Sequence, residues 1–254
     1  MIKMIATDLD KTLLRSDAVI SDYTLDILKK CQARDLVVVF ATARSTQAAA
    51  RILAQFTPDI FIGYGGALVS AEEKVIHRID ISADISNRII KEALNTPEVV
   101  NVLAINESIA LTNDVDELAE KDSSHYQYAD FSNDYNYSYL KISLNAACQT
   151  AVEKIAENYP MLDMLRYTGE NLYRFANRNA VKWNALKAAA EHYNISTDMI
   201  AAFGDDRNDL EMLEKCGIGI AVENAIDEVK AVANHVCGTN DNDGVAKWIE
   251  ENIL

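Results

Sequence analysis

Lys3-Met4-Ile5-Ala6-Thr7-Asp8-Leu9-Asp10-Lys11-Thr12 is the stretch on which the fold turns. Residues 3–7 read as a short, mostly apolar strand that runs straight into two aspartates. In open parallel sheets, sites form beyond the carboxyl ends of strands. Asp8 and Asp10, two positions apart, point the same way at such an end. Like charges 4 Å apart repel by about 4 kcal/mol at an effective dielectric of 20. The pair therefore either caps a strand-to-loop junction or holds a divalent cation that relieves the repulsion, and the stretch alone leaves both readings open.

Outward from it the same grammar repeats. Residues 23–31 have helical spacing at Leu25, Leu28 and Cys31, 36–41 are a continuous β-branched run, 46–53 a helix and 59–62 a third strand. From Lys182 it returns with a helix 182–192, a strand 199–203, a helix 209–215, a strand 218–221 and a helix through Trp248. Apolar runs separated by helices predict a parallel sheet covered on both faces. The middle is different: helices near 84–94 and 147–159 separate hairpin-like strands at 137–144, 161–167 and 171–176, which is α+β grammar. No glycine falls between Ala67 and Thr168, while eight of the eleven tyrosines lie between Tyr126 and Tyr173, so the two parts differ in style. That tyrosine bias fits either β-propensity or an aromatic substrate patch. The expected fold is α/β: a Rossmann-like parallel-sheet core from 1–81 and 181–254, with an inserted α+β domain at 82–180.

Composition removes several function classes. Against 24 Lys plus Arg stand 39 Asp plus Glu, a net charge of −15 over 254 residues, and residues 82–180 alone carry 8 basic and 15 acidic. Nucleic-acid backbones need clustered cations, so no nucleic-acid partner is expected. A small phosphorylated substrate stays open, because a metal ion and one or two cations reverse the sign of a single pocket. The longest apolar run, 36–43, is far short of a membrane span of about 20 residues. Cys31, Cys148, Cys216 and Cys237 form no CxxC pair, and the start resembles no signal peptide. A cytoplasmic protein with reduced thiols and no membrane association is expected.

Three further clusters carry chemistry. Gly204-Asp205-Asp206-Arg207-Asn208-Asp209 follows the strand 199–203; its carboxylates and amide suit a hard cation such as Mg²⁺ or an acid-rich helix start. Thr42-Ala43-Arg44 follows the strand 36–41, where a hydroxyl and backbone amides can hold phosphate oxygens. Lys182 opens a helix, where its charge opposes the dipole, so either a local partner offsets it or solvent does.

In combination these residues resemble the haloacid dehalogenase superfamily, specifically its Cof-like phosphatases with a large C2-type α/β cap. Residues 8–12 resemble the family's DxDGT motif, 42–44 its TGR, Lys182 its motif lysine and 204–209 its GDxxND; 221–225 and 243–245 match the usual tail. Lys11, Ala43, Asn179 and Trp183 stand where glycine is common, and Gly65 where asparagine is. Asn179 is the replacement best able to take a positive φ. None of these departures removes a group the chemistry requires.

The resemblance implies a Mg²⁺-dependent phosphatase acting on small phosphorylated metabolites, with sugar phosphates foremost. Asp8 would be the nucleophile, forming an aspartyl-phosphate, and Asp10 the acid and then the base. Mg²⁺ would be held by Asp8, the Asp10 backbone carbonyl and Asp205, with Asp209 in support. Lys182, Thr42, Asn208 and the amides of Leu9 and Ala43 would hold the phosphoryl group, and Arg44 would serve substrate or an ion pair. A phosphomutase on the same scaffold, or a catalytically weak regulatory phosphate binder, are the alternatives. His125, Tyr128, Arg174 and Asn177 are candidates for leaving-group contacts. The oligomeric state stays open.

Overall fold

Strands built entirely from buried residues need cover on both faces, and this constraint organises the first half of the chain. The computed structural model describes residues 1–72, 74–120, 125–166 and 169–254. The chain opens with β1 (Met4–Thr7), α1 (Asp22–Gln32), β2 (Val37–Ala41), α2 (Thr46–Leu53), β3 (Ile60–Gly63), β4 (Leu68–Ala71) and β5 (Lys74–Arg78). There follow α3 (Ala83–Leu94), β6 (Val99–Ile105), β7 (Ala110–Thr112), α4 (Val115–Glu120), β8 (Tyr126–Tyr128), β9 (Lys141–Ala146), α5 (Gln149–Glu157), β10 (Leu162–Arg166) and β11 (Leu172–Asn177). The last stretch is α6 (Lys182–His192), β12 (Ile200–Gly204), α7 (Leu210–Lys215), β13 (Ile218–Val222), α8 (Asp227–Val232), β14 (His235–Cys237) and α9 (Gly244–Asn252).

These elements form two units, Met1–Arg78 with Val181–Leu254, and Ile79–Ala180. The first is α/β. Its sheet has the order β14-β13-β12-β1-β2-β3-β4-β5, parallel from β14 to β3 and antiparallel at β4 and β5. Every residue of β1, β3 and β12 is buried, as in parallel sheets sandwiched by helices. Helix α1 packs on β2 and α9, and α6 on β3, β4, β5 and α7. The β4–β5 hairpin extends the sheet beyond the expected strands; its outer member, Lys-Val-Ile-His-Arg, is mostly exposed and lacks the apolar run that announces the central strands.

The second unit is a six-stranded sheet of order β10-β11-β9-β6-β7-β8, antiparallel except where β7 meets β8. Helices α3 and α5 bury one face over Val102, Ala104, Ile142, Leu144, Tyr173 and Phe175. The strand expected at 137–144 is shifted, to β9: Tyr135, Tyr137 and Tyr139 form a chain of ring contacts before it, and Tyr139 pairs only as an isolated bridge to Ile81. Tyr139, Tyr159 and Tyr173 lie in this unit's core, which favours packing over a dedicated aromatic patch. The strand expected at 161–167 ends on Tyr167, outside the described residues. Among the described residues no helix is long and apolar enough to cross a membrane.

The loop after β3 fixes where α6 begins. Tyr64, Gly65 and Gly66 all have positive φ (54°, 72° and 107°), and their N–H groups donate to Arg44, Thr42 and Gly63 carbonyls. A Cβ on Gly66 would lie 2.4 Å from the Val181 carbonyl carbon, and backbone at this point cannot step aside. Gly66→Ala is expected to cost about 2–4 kcal/mol of stability, from the left-handed conformation and the clash together. Urea unfolding checks it; a loss under about 0.5 kcal/mol would contradict this packing.

Candidate active site

Strand order reverses around β1, because β2 and β12 lead away from it in opposite directions. Thr7 is level with both Phe40 and Phe203, so the residues that follow these three strands emerge together. They are Asp8, Thr42 and Asp205. This is the switch point at which open α/β sheets bind ligands.

The Asp8 N–H donates to the Phe203 carbonyl (3.0 Å). The chain then turns tightly through 9–13, with Lys11 at φ 59°, so this lysine takes the left-handed conformation in the place where glycine is common. Asn179, by contrast, is not among the positive-φ residues. Lys182 opens α6 and is 1% exposed. Its Nζ lies 2.6 Å from Asp8 Oδ1 and 2.6 Å from Asp209 Oδ1. Those carboxylates are the partners that offset the helix dipole.

The remaining oxygens of the cluster divide into engaged and unspent ones. Asp209 Oδ2 accepts the N–H groups of Asp205 (3.1 Å) and Asp206 (3.2 Å). Gly204 makes this possible: a Cβ there would lie 2.4 Å from the Asp209 Cβ. Asp205 Oδ1 accepts the Thr12 hydroxyl (2.8 Å). Asp8 Oδ2 and Asp205 Oδ2 accept no hydrogen bond among the described residues. Asp8, Asp205 and Asp209 are all buried and offer oxygens within 4.8 Å of one another. Three acids against one lysine, with two oxygens unspent, fit a hard divalent cation that retains waters. Asp209, with both oxygens engaged, is suited to support such an ion rather than to ligate it.

Burial pushes Asp8 well above the usual carboxylate range; Lys182 opposes this, and Asp209 and Asp205 add to it. Asp205 rises from 3.8 to about 6, chiefly by burial, with the Thr12 hydrogen bond opposing. Burial lowers Lys182, but Asp209 and Asp8 outweigh it and hold the ammonium charged.

Asp10 stands apart. Its side chain is half exposed and is gripped in a fork by Arg44, whose Nε donates at 2.8 Å and whose second bond comes from Nη2. Arg44 thus serves an ion pair, the partner being Asp10. Thr42 is fully buried and its Oγ1 accepts the Arg44 N–H at 3.2 Å. Leu9 is buried in the turn after Asp8, Ala43 sits half-buried between Thr42 and Arg44, and Asn208 is exposed in the single turn Arg207–Asp209. The structure joins Asp8, Lys182, Asp205 and Asp209 directly, and Asp10, Thr42 and Arg44 as a second linked set.

Three contributors lie in motifs visible in the sequence, but their roles were not legible there. Thr12 bonds Asp205; its place in an aspartate-flanked turn was the available signal. Asn224 donates to the Lys11 carbonyl (2.7 Å) and accepts from the Asn240 N–H (3.0 Å), tying the β13 end to the turn after β1. Asp243, left-handed at φ 55°, accepts Arg15 and Ser21 side chains and fixes the same loop.

The haloacid dehalogenase-like hydrolase family model matches residues 5–249. The chain is 26% identical to the 5-amino-6-(5-phospho-D-ribitylamino)uracil phosphatase YitU of Bacillus subtilis, over 98% of this chain and 96% of that one. It is 27% identical to the HMP-PP phosphatase of Enterobacter sp. (strain 638), over 98% and 95%. Its fold is similar to that of the subclass IIB sugar phosphatase BT4131, with a TM-score of 0.82 at 19% identity and 98% of each chain covered.

Asp205 gives a signed expectation. Its folded pKa is raised, so the folded state binds the proton more tightly and its burial cost is relieved as pH falls from about 7 through 6 towards 4. In chelator, stability should rise by about 1–3 kcal/mol across that window, and Asp205→Asn should flatten the rise. Thermal unfolding against pH checks it; equal slopes in both proteins would refute the assignment.

Proposed function

Since the chain belongs to the haloacid dehalogenase-like hydrolases and is a phosphatase acting on small phosphorylated substrates, we propose that it hydrolyses phosphorylated metabolites, sugar phosphates foremost, with Mg²⁺ and through a phosphorylated Asp8. The observation that carries this reading is Asp8 itself: buried at the end of β1, one oxygen on Lys182 and the other free.

Asp8 Oδ2, Asp205 Oδ2 and the Asp10 carbonyl would hold Mg²⁺, which when bound offsets the charge between carboxylate and phosphate. Asp8 attacks phosphorus, and its burial with few bonds leaves the carboxylate poorly solvated and reactive. Lys182 stays charged and neutralises Asp8 and the transferring phosphoryl group. Asp10 hands its proton to the leaving oxygen, then takes one from the water that attacks phosphorus and releases Asp8. Arg44 orients the Asp10 carboxylate for that exchange. Thr42, Asn208 and the amides of Leu9 and Ala43 hold the equatorial oxygens.

The unit Ile79–Ala180 is assigned the role of cap domain. Preference for sugar phosphates draws support from the fold likeness to a sugar phosphatase and from relatives named for other small phosphorylated compounds. Four free cysteines support a reducing, cytoplasmic setting.

Phosphate release from a panel of phosphomonoesters is the test. Activity should require Mg²⁺, vanish in chelator and be inhibited by Ca²⁺, whose looser coordination misplaces the nucleophile; full activity in chelator would overturn the metal assignment. Asp10→Asn should lower the rate on a sugar phosphate by about 10²–10⁴-fold. An aryl phosphate, whose leaving group needs little protonation, should instead give a burst and then a slow steady state. Equal losses without a burst would make Asp10 structural.

A further inference from the structure

The tail of the first unit is bonded to the turn that carries Asp10, and none of the chemistry above uses that connection. Lys11 holds φ 59° and ψ 7° inside the turn, next to Asp10 at φ −71° and ψ 125°. A left-handed conformation is disfavoured for residues with a Cβ. Glycine escapes the penalty, and asparagine or aspartate soften it with a local side-chain hydrogen bond. Lys11 has neither recourse, and its side chain makes no hydrogen bond or ion pair among the described residues. Such a residue persists only where its surroundings over-determine it.

Two asparagines supply those surroundings. The Lys11 carbonyl accepts from Asn224 Nδ2 at 2.7 Å, and the Leu14 carbonyl from Asn240 Nδ2 at 2.9 Å. The Asn240 N–H in turn donates to Asn224 Oδ1 at 3.0 Å. That third bond fixes which way the Asn224 carboxamide faces. Turned over, it would set oxygen against the Lys11 carbonyl and nitrogen against the Asn240 N–H. Asn240 is 5% exposed, so the latch has a buried anchor. Within the turn, the Leu13 and Leu14 N–H groups donate to the Asp8 (3.3 Å) and Leu9 (2.8 Å) carbonyls, which leaves the Lys11 carbonyl to Asn224.

We propose that Asn224, oriented by Asn240, is a positioning residue that holds Lys11 in its left-handed conformation and so places Asp10 for proton transfer. This positioning rests on the reading of Asp10 as acid and then base. Arg44 grips the Asp10 carboxylate, and the latch fixes the main chain from which that carboxylate projects. Small misplacements of a reacting group are costly to rate, so a turn that relaxes at Lys11 slows the steps that move a proton.

The test compares Asn224→Ala with wild type and Asp10→Asn, at saturating Mg²⁺, on a sugar phosphate and an aryl phosphate. Asn224→Ala should lower kcat on the sugar phosphate about three- to tenfold, the worth of one hydrogen bond, with KM changed by less than about twofold. On the aryl phosphate the burst should keep its rate and amplitude while the steady state falls, a weaker copy of the Asp10→Asn pattern. Lost packing alone would shrink the burst amplitude and slow both substrates alike. Asn224→Asp, which keeps the acceptor for Asn240 but not the donor to Lys11, should show the same pattern and serves if the alanine variant does not fold. Glycine needs no help to take a positive φ, so in a Lys11→Gly background Asn224→Ala should cost less than about twofold. Equal losses on both substrates, or an undiminished loss beside Lys11→Gly, would overturn the proposal while Asp10→Asn still gives its burst. An Asp10→Asn enzyme without a burst would overturn the acid–base reading and this positioning with it.

Discussion

The pair of 2.6 Å contacts from Lys182 to Asp8 and Asp209 is the constraint around which the first unit is arranged. Three carboxylates cannot be buried together without a cation, because the penalty for each unpaired charge amounts to several kcal/mol. Lys182 meets that need only if α6 begins at the right place, and Gly66 lets the 64–66 loop press against the Val181 backbone to fix it. Asp209 must in turn lie beneath Gly204, where its second oxygen collects the N–H groups of the next two residues. Segments far apart in sequence are thereby locked to one another by a single ammonium.

That arrangement also divides labour among similar residues. Asp209 is saturated by hydrogen bonds and acts as a fixed post. Asp8 and Asp205 each keep one oxygen unspent, which is what a metal or a nucleophile requires. Asp10, only two residues from Asp8, is half exposed and faces Arg44. Four aspartates of identical chemistry thus acquire distinct environments from the turns that carry them, and environment is what separates acid–base groups from structural ones.

Much of this was legible in the sequence because parallel strands are short apolar runs and their chemistry sits immediately after them. Asp8, Thr42 and Asp205 are visible for that reason, while the acid-rich turn 204–209 read equally as a cation site or as an acid-rich helix start. Partners separated by long sequence distances were not legible. Lys182 signalled only that its charge needed an offset; which two carboxylates supply it depends on the sheet order. Arg44 was poised between substrate and ion pair, and the ion pair it makes, to Asp10, is a contact no spacing rule gives. The inserted unit was harder. Its strands alternate between a core face and a polar face, so β9 was displaced by the neighbouring tyrosines, and β7 and β8, three residues each, are too short for a pattern to announce them. The exposed edge strand β5 escaped for the same reason.

If Asp8, held by Lys182, carries the phosphoryl group during turnover, an acyl phosphate accumulates at that side chain and can be trapped. Quenching the working enzyme with borohydride reduces an acyl phosphate to an alcohol, and peptide mapping by mass spectrometry then locates the altered residue. The expected result is homoserine at position 8, formed only when substrate is present. Turnover with position 8 unmodified, or the alteration at Asp10 or Asp205 instead, would contradict the account.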